Sequence, residues 1–375
     1  MKQGTQMHIV YVIGGLFRGG IENWLLNITP CLQREGCRVT VVNMTGKGDL
    51  VPLFAEAGVS VVNVGRRGLP AGTHRLDTTL RLRRLLRRLQ PDVIQTMHFA
   101  ANYHTRLAAA GTGVPVITNI RTMARETKPV RRIMNKLLSA RTAMFVSVSQ
   151  AVDAVVQQDH NLFRAPSRVV YNGIPEGHFS AAAADAGTLV PQGAPVLVTA
   201  CRLVPVKNMD FFLRVFRKIT ADVPDAFFVL MGDGGERAAL EQQAGELGIA
   251  SQVVFTGMRS DVPAVLKGLC DRRSVFVMPS RWEGFPNAAL EALACGVPLV
   301  VSDTVPVKEV TEDAAVVLPL DEDVWADGLT ALLNDPQRLD AMREKGSAVA
   351  ERFRFSAHVA EWKQLYTDVV RQAAR

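Results

Sequence analysis

Short apolar, β-branched runs alternate along this chain with longer stretches whose apolar residues recur at helical spacing. That alternation limits the fold more than any other feature. The first half gives strands at His8–Ile13, Arg38–Asn43, Val59–Val64, Asp92–Met97, Val114–Ile120 and Ala143–Val148. Helices are expected between them over Glu22–Glu35, Leu50–Ala57, Leu76–Leu89 and Ala100–Gly111. The second half repeats the pattern, with strands at Val196–Cys201, Phe227–Met231, Val253–Phe255, Val275–Met278, Leu299–Ser302 and Ala314–Leu318. Its helices are expected over Met209–Thr220, Arg237–Leu247, Asp261–Leu269 and Pro286–Cys295, then near Asp323–Asn334, Gln337–Arg352 and Ala357–Ala373. Strands alternating with helices imply parallel sheets covered on both faces. At 375 residues the chain is comfortable for two such domains. Ser180–Pro195 is small, low in complexity and reads as a linker. The expected fold is α/β: two doubly wound, Rossmann-like domains, 1–180 and 181–355, facing across a cleft. Residues 356–375 are expected as a helix returning to the first domain.

Ligands of such sheets bind beyond the carboxyl ends of the strands, so the loops there carry the functional argument. After the first strand comes Gly14-Gly-Leu-Phe-Arg-Gly-Gly-Ile-Glu22, where glycines let backbone approach a ligand at a helix start. The Gly-x-Gly-x-x-Gly spacing is absent, and the second strand ends at Asn43 rather than at an acid that would hold a ribose, which argues against a dinucleotide. His98 follows a strand directly; a lone histidine is usually a buried, satisfied one, and its place at a strand's carboxyl end before a helix suits a functional role equally well. Arg202 and Lys207 share one loop, and a planar fork with a point charge suits a diphosphate; two exposed surface charges are the plain alternative. Gly232-Asp-Gly234 permits close approach to a nucleotide, and the Gly257-Met258 loop could edge a base.

The most distinctive loop is Arg281-Trp-Glu-Gly-Phe-Pro-Asn-Ala-Ala-Leu-Glu291. Glutamates spaced this way are common on solvated helix faces. Here Glu283 lies among Trp282, Gly284, Phe285 and Pro286, odd company for a solvated charge, while Glu291 falls on a helix expected to begin near Pro286. One carboxylate in the loop and one a turn into the helix cannot clasp the same hydroxyl. They suit the two ends of a long ligand with a helix N-terminus, an anion site, between them. A nucleoside diphosphate joined to a sugar has that layout.

No apolar run reaches the length that spans a bilayer, and His8–Ile13 is too short for a signal peptide's apolar core. Cys31, Cys37, Cys201, Cys270 and Cys295 are scattered without metal-binding spacing. A cytoplasmic setting without a metal is the expectation. The net charge of +7 hides an asymmetry: residues 1–180 hold 23 Lys and Arg against 10 Asp and Glu (+13), and residues 181–375 hold 20 against 26 (−6). The basic half includes Arg75 and, interleaved with leucines, Arg81, Arg83, Arg84, Arg87 and Arg88. It also includes Arg121, Arg125, Lys128, Arg131, Arg132, Lys136 and Arg141. Such stretches suit an anionic surface, or are solvated helix faces. The near absence of interleaved aromatics argues against nucleic acid.

Taken in order, Gly19-Gly-Ile-Glu22, His98, Tyr171-Asn-Gly-Ile174, Arg202 with Lys207-Asn208, Gly232-Asp-Gly234, Phe255-Thr-Gly257, Pro279-Ser-Arg-Trp-Glu-Gly-Phe-Pro286 and Glu291-Ala-Leu-Ala-Cys-Gly296 resemble the retaining glycosyltransferases of the GT-B fold, family 4 group. The resemblance spans nearly the whole chain and is stronger in the second half. It implies a nucleoside-diphosphate sugar as substrate, no cofactor, and a saccharide or lipid-linked acceptor. Arg202 and Lys207 would grip the diphosphate, and Glu291 the ribose. Glu283, with Gly284, Phe285, Pro286 and Asn287, would hold the donor sugar, and His98 would touch it near the reacting carbon. Gly19 and Gly20 would border phosphates and acceptor; Gly232, Gly234, Gly257 and Met258 would line the donor. Glu22 and Arg121 are expected on the acceptor side. One departure stands out: Ser302-Asp-Thr-Val-Pro-Val-Lys-Glu309 has no glycine where many relatives have a Gly-rich turn, which leaves the sugar open. The variant is most similar to enzymes that build bacterial capsular or exopolysaccharide chains, which implies docking at the inner face of the plasma membrane. A sugar-nucleotide epimerase of the same fold is the alternative. It would need an acid/base set in the first half, where only His98 and Glu22 are evident.

Overall fold

A computed structural model of the chain describes residues 6–64, 76–123, 128–270 and 273–375; Arg75 and Arg125 lie outside them. Strand β1 (His8–Ile13) is buried at every position, as an apolar run must be when helices cover both faces of a parallel sheet. With it come β2 (Arg38–Asn43), β3 (Ser60–Asn63), β4 (Val93–Thr96), β5 (Val116–Ile120), β6 (Met144–Ser147) and β7 (Ser167–Val169). They pair in parallel in the order β3-β2-β1-β4-β5-β6-β7. The helices between them are α1 (Gly20–Arg34), α2 (Val51–Glu56), α3 (Leu76–Leu89), α4 (Phe99–Ala108), α5 (Pro129–Leu138) and α6 (Gln150–Asp159).

The second sheet is built from β8 (Val196–Ala200), β9 (Phe227–Met231), β10 (Val253–Gly257), β11 (Ser274–Met278), β12 (Leu299–Ser302) and β13 (Ala315–Leu318). Its order is β10-β9-β8-β11-β12-β13, again all parallel. Around it lie α7 (Glu176–Ser180), α8 (Met209–Asp222), α9 (Arg237–Glu246), α10 (Val262–Leu269), α11 (Asn287–Ala294), α12 (Lys308–Thr311), α13 (Glu322–Leu333) and α14 (Pro336–Glu351). Phe212, Phe216, Phe228 and Trp325 fill its core between α8, the sheet and α13. In each sheet the winding direction reverses beside the first strand, between β1 and β4 and between β8 and β11. Doubly wound sheets bind ligands at that switch point.

The chain divides into two units, Met1–Tyr171 with His358–Arg375, and Asn172–Ala357. The expected boundary at 180 and 181 therefore falls inside the second unit. Ser180–Pro195 is not a free linker: the Ala184 amide donates to Ala264 O at 2.9 Å, Val190 and Ala194 are buried, and a Cβ on Gly268 would lie 2.2 Å from Ala184 O. The last helix, α15 (Phe355–Ala373), carries the returning segment. From it His358, Trp362 and Tyr366 enter the first unit's interior beside Tyr11 and Trp24. The Tyr366 hydroxyl bonds Gln95 Oε1 at 2.5 Å and the Tyr11 hydroxyl at 2.8 Å.

Two of the arginines singled out by sequence have structural work of their own. Arg83 donates to Ala108 O and Ala110 O at 3.0 and 2.7 Å, satisfying carbonyls left open at the end of α4. Arg121, expected on the acceptor side, lies with its guanidinium 4.6 Å from the Trp24 ring centroid. Burial pulls its pKa down to about 9. It belongs to the cluster that seats α15.

Candidate active site

The two loops at the second switch point are zipped together. After β8, Asn208 adopts a left-handed conformation (φ 61°) at the start of α8. Its side-chain oxygen accepts Arg281 Nε at 2.9 Å, and the Arg281 amide donates to Val206 O at 2.8 Å. This brings Lys207 to Glu283: Nζ lies 2.5 Å from Oε1, and both side chains are largely buried. Ser280 Oγ donates to the same carboxylate oxygen at 2.8 Å. Charge-assisted bonds of this kind are the strong ones. The glycine-free segment after β12 supports the loop, because Ser302 Oγ and Thr304 Oγ1 both donate to Ser280 O, at 2.6 and 2.7 Å. Arg202, on the same loop as Lys207, is exposed.

The glycines of this unit have a close-packing reason. Gly232 has φ 144°, and a Cβ there would sit 1.8 Å from Cys201 O. A Cβ on Gly234 would sit 2.2 Å from Leu203 O. The turn after β9 therefore lies against the backbone that carries Arg202 and Lys207, and only glycine permits it. Gly257 has φ 70° and its carbonyl accepts the Gly232 amide at 2.9 Å. Met258 beside it is 74% exposed.

Pro286 precedes α11 as its N-cap residue rather than opening the helix. Phe285 and Pro286 are buried beneath the loop, while Gly284 and Asn287 are half-buried. Asn287 Oδ1 accepts Asn172 Nδ2 at 2.5 Å, so the Asn172-Gly-Ile174 motif braces the helix start. Glu291 stands one turn into α11, half-buried. Burial raises its pKa and His178, with Nε2 3.7 Å from Oε2, opposes that rise. Sequence reasoning missed His178, which lies on a short helix with no apolar periodicity to expose it.

In the first unit, His98 joins β4 to α4 with φ 69° and ψ 153°. That region is essentially reserved for glycine and costs on the order of 1–3 kcal/mol elsewhere. The strain aims the ring at Glu22 of α1: Nε2 lies 3.5 Å from Oε1. Burial lowers the His98 pKa and Glu22 raises it, with burial prevailing. Gly19 makes room for this carboxylate, since a Cβ there would lie 2.6 Å from Glu22 Oε2. Gly20 opens α1 with nothing within 4 Å of its Cβ position. The loop before them is held by Gly48 (φ 135°), whose Cβ position is 2.1 Å from Leu16 O. The structure thus brings His98 to Glu22 and Lys207 to Glu283, and gives Gly232, Gly234 and Gly19 packing roles of their own.

The chain matches the family model of Glycosyltransferase Family 4 over residues 18–177 and that of Glycosyl transferases group 1 over residues 181–349. It is 34% identical to a GDP-mannose-dependent alpha-(1-6)-phosphatidylinositol monomannoside mannosyltransferase of Mycolicibacterium smegmatis, over 40% of this chain and 42% of that one. It is 26% identical to a D-inositol 3-phosphate glycosyltransferase of Thermobispora bispora, over 95% of this chain and 91% of that one. The chain spans less than half the length of two of the curated relatives it matches. In fold it is similar to the crystal structure of Anabaena HepE in complex with UDP (TM-score 0.84, 20% identity, 96% of this chain and 100% of that one). Two parallel, doubly wound units, one under each family match, place the chain in the GT-B glycosyltransferases of the family 4 group.

Proposed function

We propose that the chain transfers a hexose-type sugar from a nucleoside-diphosphate donor to a saccharide or lipid-linked acceptor, with retention and without a metal, in bacterial surface polysaccharide synthesis. The observation that carries this reading is the Lys207–Glu283 pair set beside exposed Arg202 at the second switch point. Breaking a sugar–diphosphate bond develops negative charge on the departing oxygen. Fixed cations aimed at that charge are worth roughly 10²–10³ in rate each. Lys207 meets the diphosphate and leaves Glu283 to accept the donor sugar's hydroxyls. Glu291 takes the ribose. His98, steadied by Glu22, contacts the sugar at its reacting end. Similarity to a protein whose crystal holds UDP supports a nucleotide donor.

The test is nucleoside diphosphate release from a panel of UDP-, GDP- and ADP-sugars, in EDTA, with and without Glu291→Ala. Release from one donor, lost in the variant, is the expected result. Absence of both release and binding across the panel would remove the reading.

A bilayer contact belongs to the same proposal. Among the described residues no helix is long and apolar enough to cross a membrane. Arg84, Arg87 and Arg88 are exposed on α3, and α5 exposes Val130, Ile133 and Leu137 by more than half between its cations. Each cation near an anionic surface contributes about 1 kcal/mol, so Arg84→Gln/Arg87→Gln/Arg88→Gln should weaken co-sedimentation with phosphatidylglycerol vesicles on the order of 100-fold. Donor turnover with a water-soluble acceptor should not change. Arg83 is left out of the variant because it closes α4.

A further inference from the structure

His178 contacts the carboxylate to which the proposed function gives the donor ribose, and its geometry restricts what it can do there. Its Nδ1 lies 3.3 Å from Pro175 O. A carbonyl only accepts, so Nδ1 carries a hydrogen. The other nitrogen, Nε2, faces Glu291 Oε2 at 3.7 Å. A bare Nε2 lone pair against a carboxylate would be repulsive. The contact is favourable only with one further proton on the pair, which makes it an imidazolium against a carboxylate or an imidazole against a carboxylic acid. The ring is well placed to stay: the His178 carbonyl accepts Cys295 Sγ at 3.5 Å, and its side chain is 14% exposed.

We propose that His178 is a positioning residue for donor recognition, holding Glu291 as an oriented carboxylate for the vicinal hydroxyls of the ribose. This rests on the reading that Glu291 binds that ribose. A carboxylate accepts from two hydroxyls at once; a carboxylic acid has a donor in place of one acceptor. Burial alone pushes Glu291 toward the acid, and the charge of His178 opposes it. The other ionisable groups around α7 do not take this role. Cys295 is pushed up to about 12 and is a neutral thiol, Lys267 on α10 acts on Cys295, and Glu176 is paired with Arg354 at 2.5 Å. Removing the imidazole raises the pKa of Glu291 further. Donor binding is then lost at a higher pH as the solution is acidified.

The experiment is calorimetric binding of UDP, GDP and ADP and their 2′-deoxy forms between pH 5.5 and 8.5. Wild type, His178→Gln, His178→Lys and Glu291→Gln are compared, with thermal unfolding confirming that each is folded. In His178→Gln the ribonucleotide affinity should fall about tenfold at the acid end, approach wild type at the alkaline end, and be rescued by His178→Lys. The preference for ribo over deoxyribo should collapse in parallel. An unchanged pH dependence in His178→Gln overturns the proposal, as does a uniform loss at all pH values that lysine does not rescue. If Glu291→Gln binds ribo- and deoxyribonucleotides as wild type does, the ribose reading of Glu291 fails first, and this proposal with it.

Discussion

Lys207→Met is expected to lower donor turnover on the order of 10²–10³-fold and to destabilise the second unit at the same time. The two effects have different causes. Turnover falls because a cation is lost where the diphosphate departs. Stability falls because Glu283 keeps its charge in a largely buried place and retains Ser280 Oγ as its remaining donor seen here. Stranding one partner of a buried ion pair costs about 3–5 kcal/mol. The double variant Lys207→Met/Glu283→Gln separates them. A neutral amide beside a methionine restores most of the lost stability, because removing both partners of a buried pair is far milder than removing one. It cannot restore turnover. Denaturant unfolding and donor kinetics on the wild type, Lys207→Met, Glu283→Gln and the double variant check this. Recovery of turnover in the double variant would mean that the pair only shapes the loop. Loss of turnover with unchanged stability in Lys207→Met would mean that Glu283 does not depend on the lysine.

Most strands and helices were legible because their apolar periodicity is unbroken and their ends are marked. Leu76–Leu89 and Phe227–Met231 fall where the pattern places them. The elements that escaped notice lack that signal. Helix α5 turns Val130, Ile133 and Leu137 outward, so its apolar residues do not mark a core face. Strand β7 is a three-residue edge, and α7 is one turn with no buried residue. Ser180–Pro195 reads as a linker by composition, but composition cannot show that the Ala184 backbone fits against Gly268.

The candidate site was legible where chemistry and loop position coincide. Glu283 in its Trp/Gly/Phe/Pro setting and Lys207 on the loop after β8 both pointed to a ligand, and the fold sets them in contact. The backbone strain at His98 and its approach to Glu22 were invisible, since they depend on a turn geometry that no spacing encodes. The arginines were the hardest to read. Arg83 and Arg121 look like their neighbours in sequence, yet one closes a helix and the other stacks on Trp24. A charge run reveals a basic face but not which members are turned inward.

The first unit should lose stability as the solution is acidified from about pH 6.5 toward pH 3, with His358 as the titrating group. Its Nε2 accepts the Trp24 and Trp362 indole N–H groups, at 2.7 and 3.1 Å. Both bonds require the lone pair that a proton would take. Burial and then the charge of Arg121 bring the pKa of His358 down to about 3, against a weaker opposing hydrogen bond to the Tyr171 backbone. The unfolded chain titrates near 6.5. Between those values the unfolded state holds one more proton than the folded state, so stability falls with falling pH by about 1.4 kcal/mol per unit, and by roughly 5 kcal/mol over the whole interval. Above pH 6.5 the contribution is complete and flat. His358→Gln replaces the imidazole by a carbonyl acceptor that does not protonate in this range. At pH 7 it should cost about 1–2 kcal/mol through poorer geometry. Between pH 4 and pH 6 it should remove close to one proton from the linkage slope, leaving the carboxylates to supply the rest. Guanidinium unfolding at stepped pH measures the slope, and amide exchange along α15 shows whether the loss is local to the helix that His358 anchors. An identical slope in wild type and variant would assign the acid sensitivity to other groups. A flattened slope with α15 protected at pH 4.5 would show that the unprotonated His358 nitrogen, bonded to Trp24 of α1 and to Trp362 of its own helix, is the acid-sensitive tie between α15 and α1.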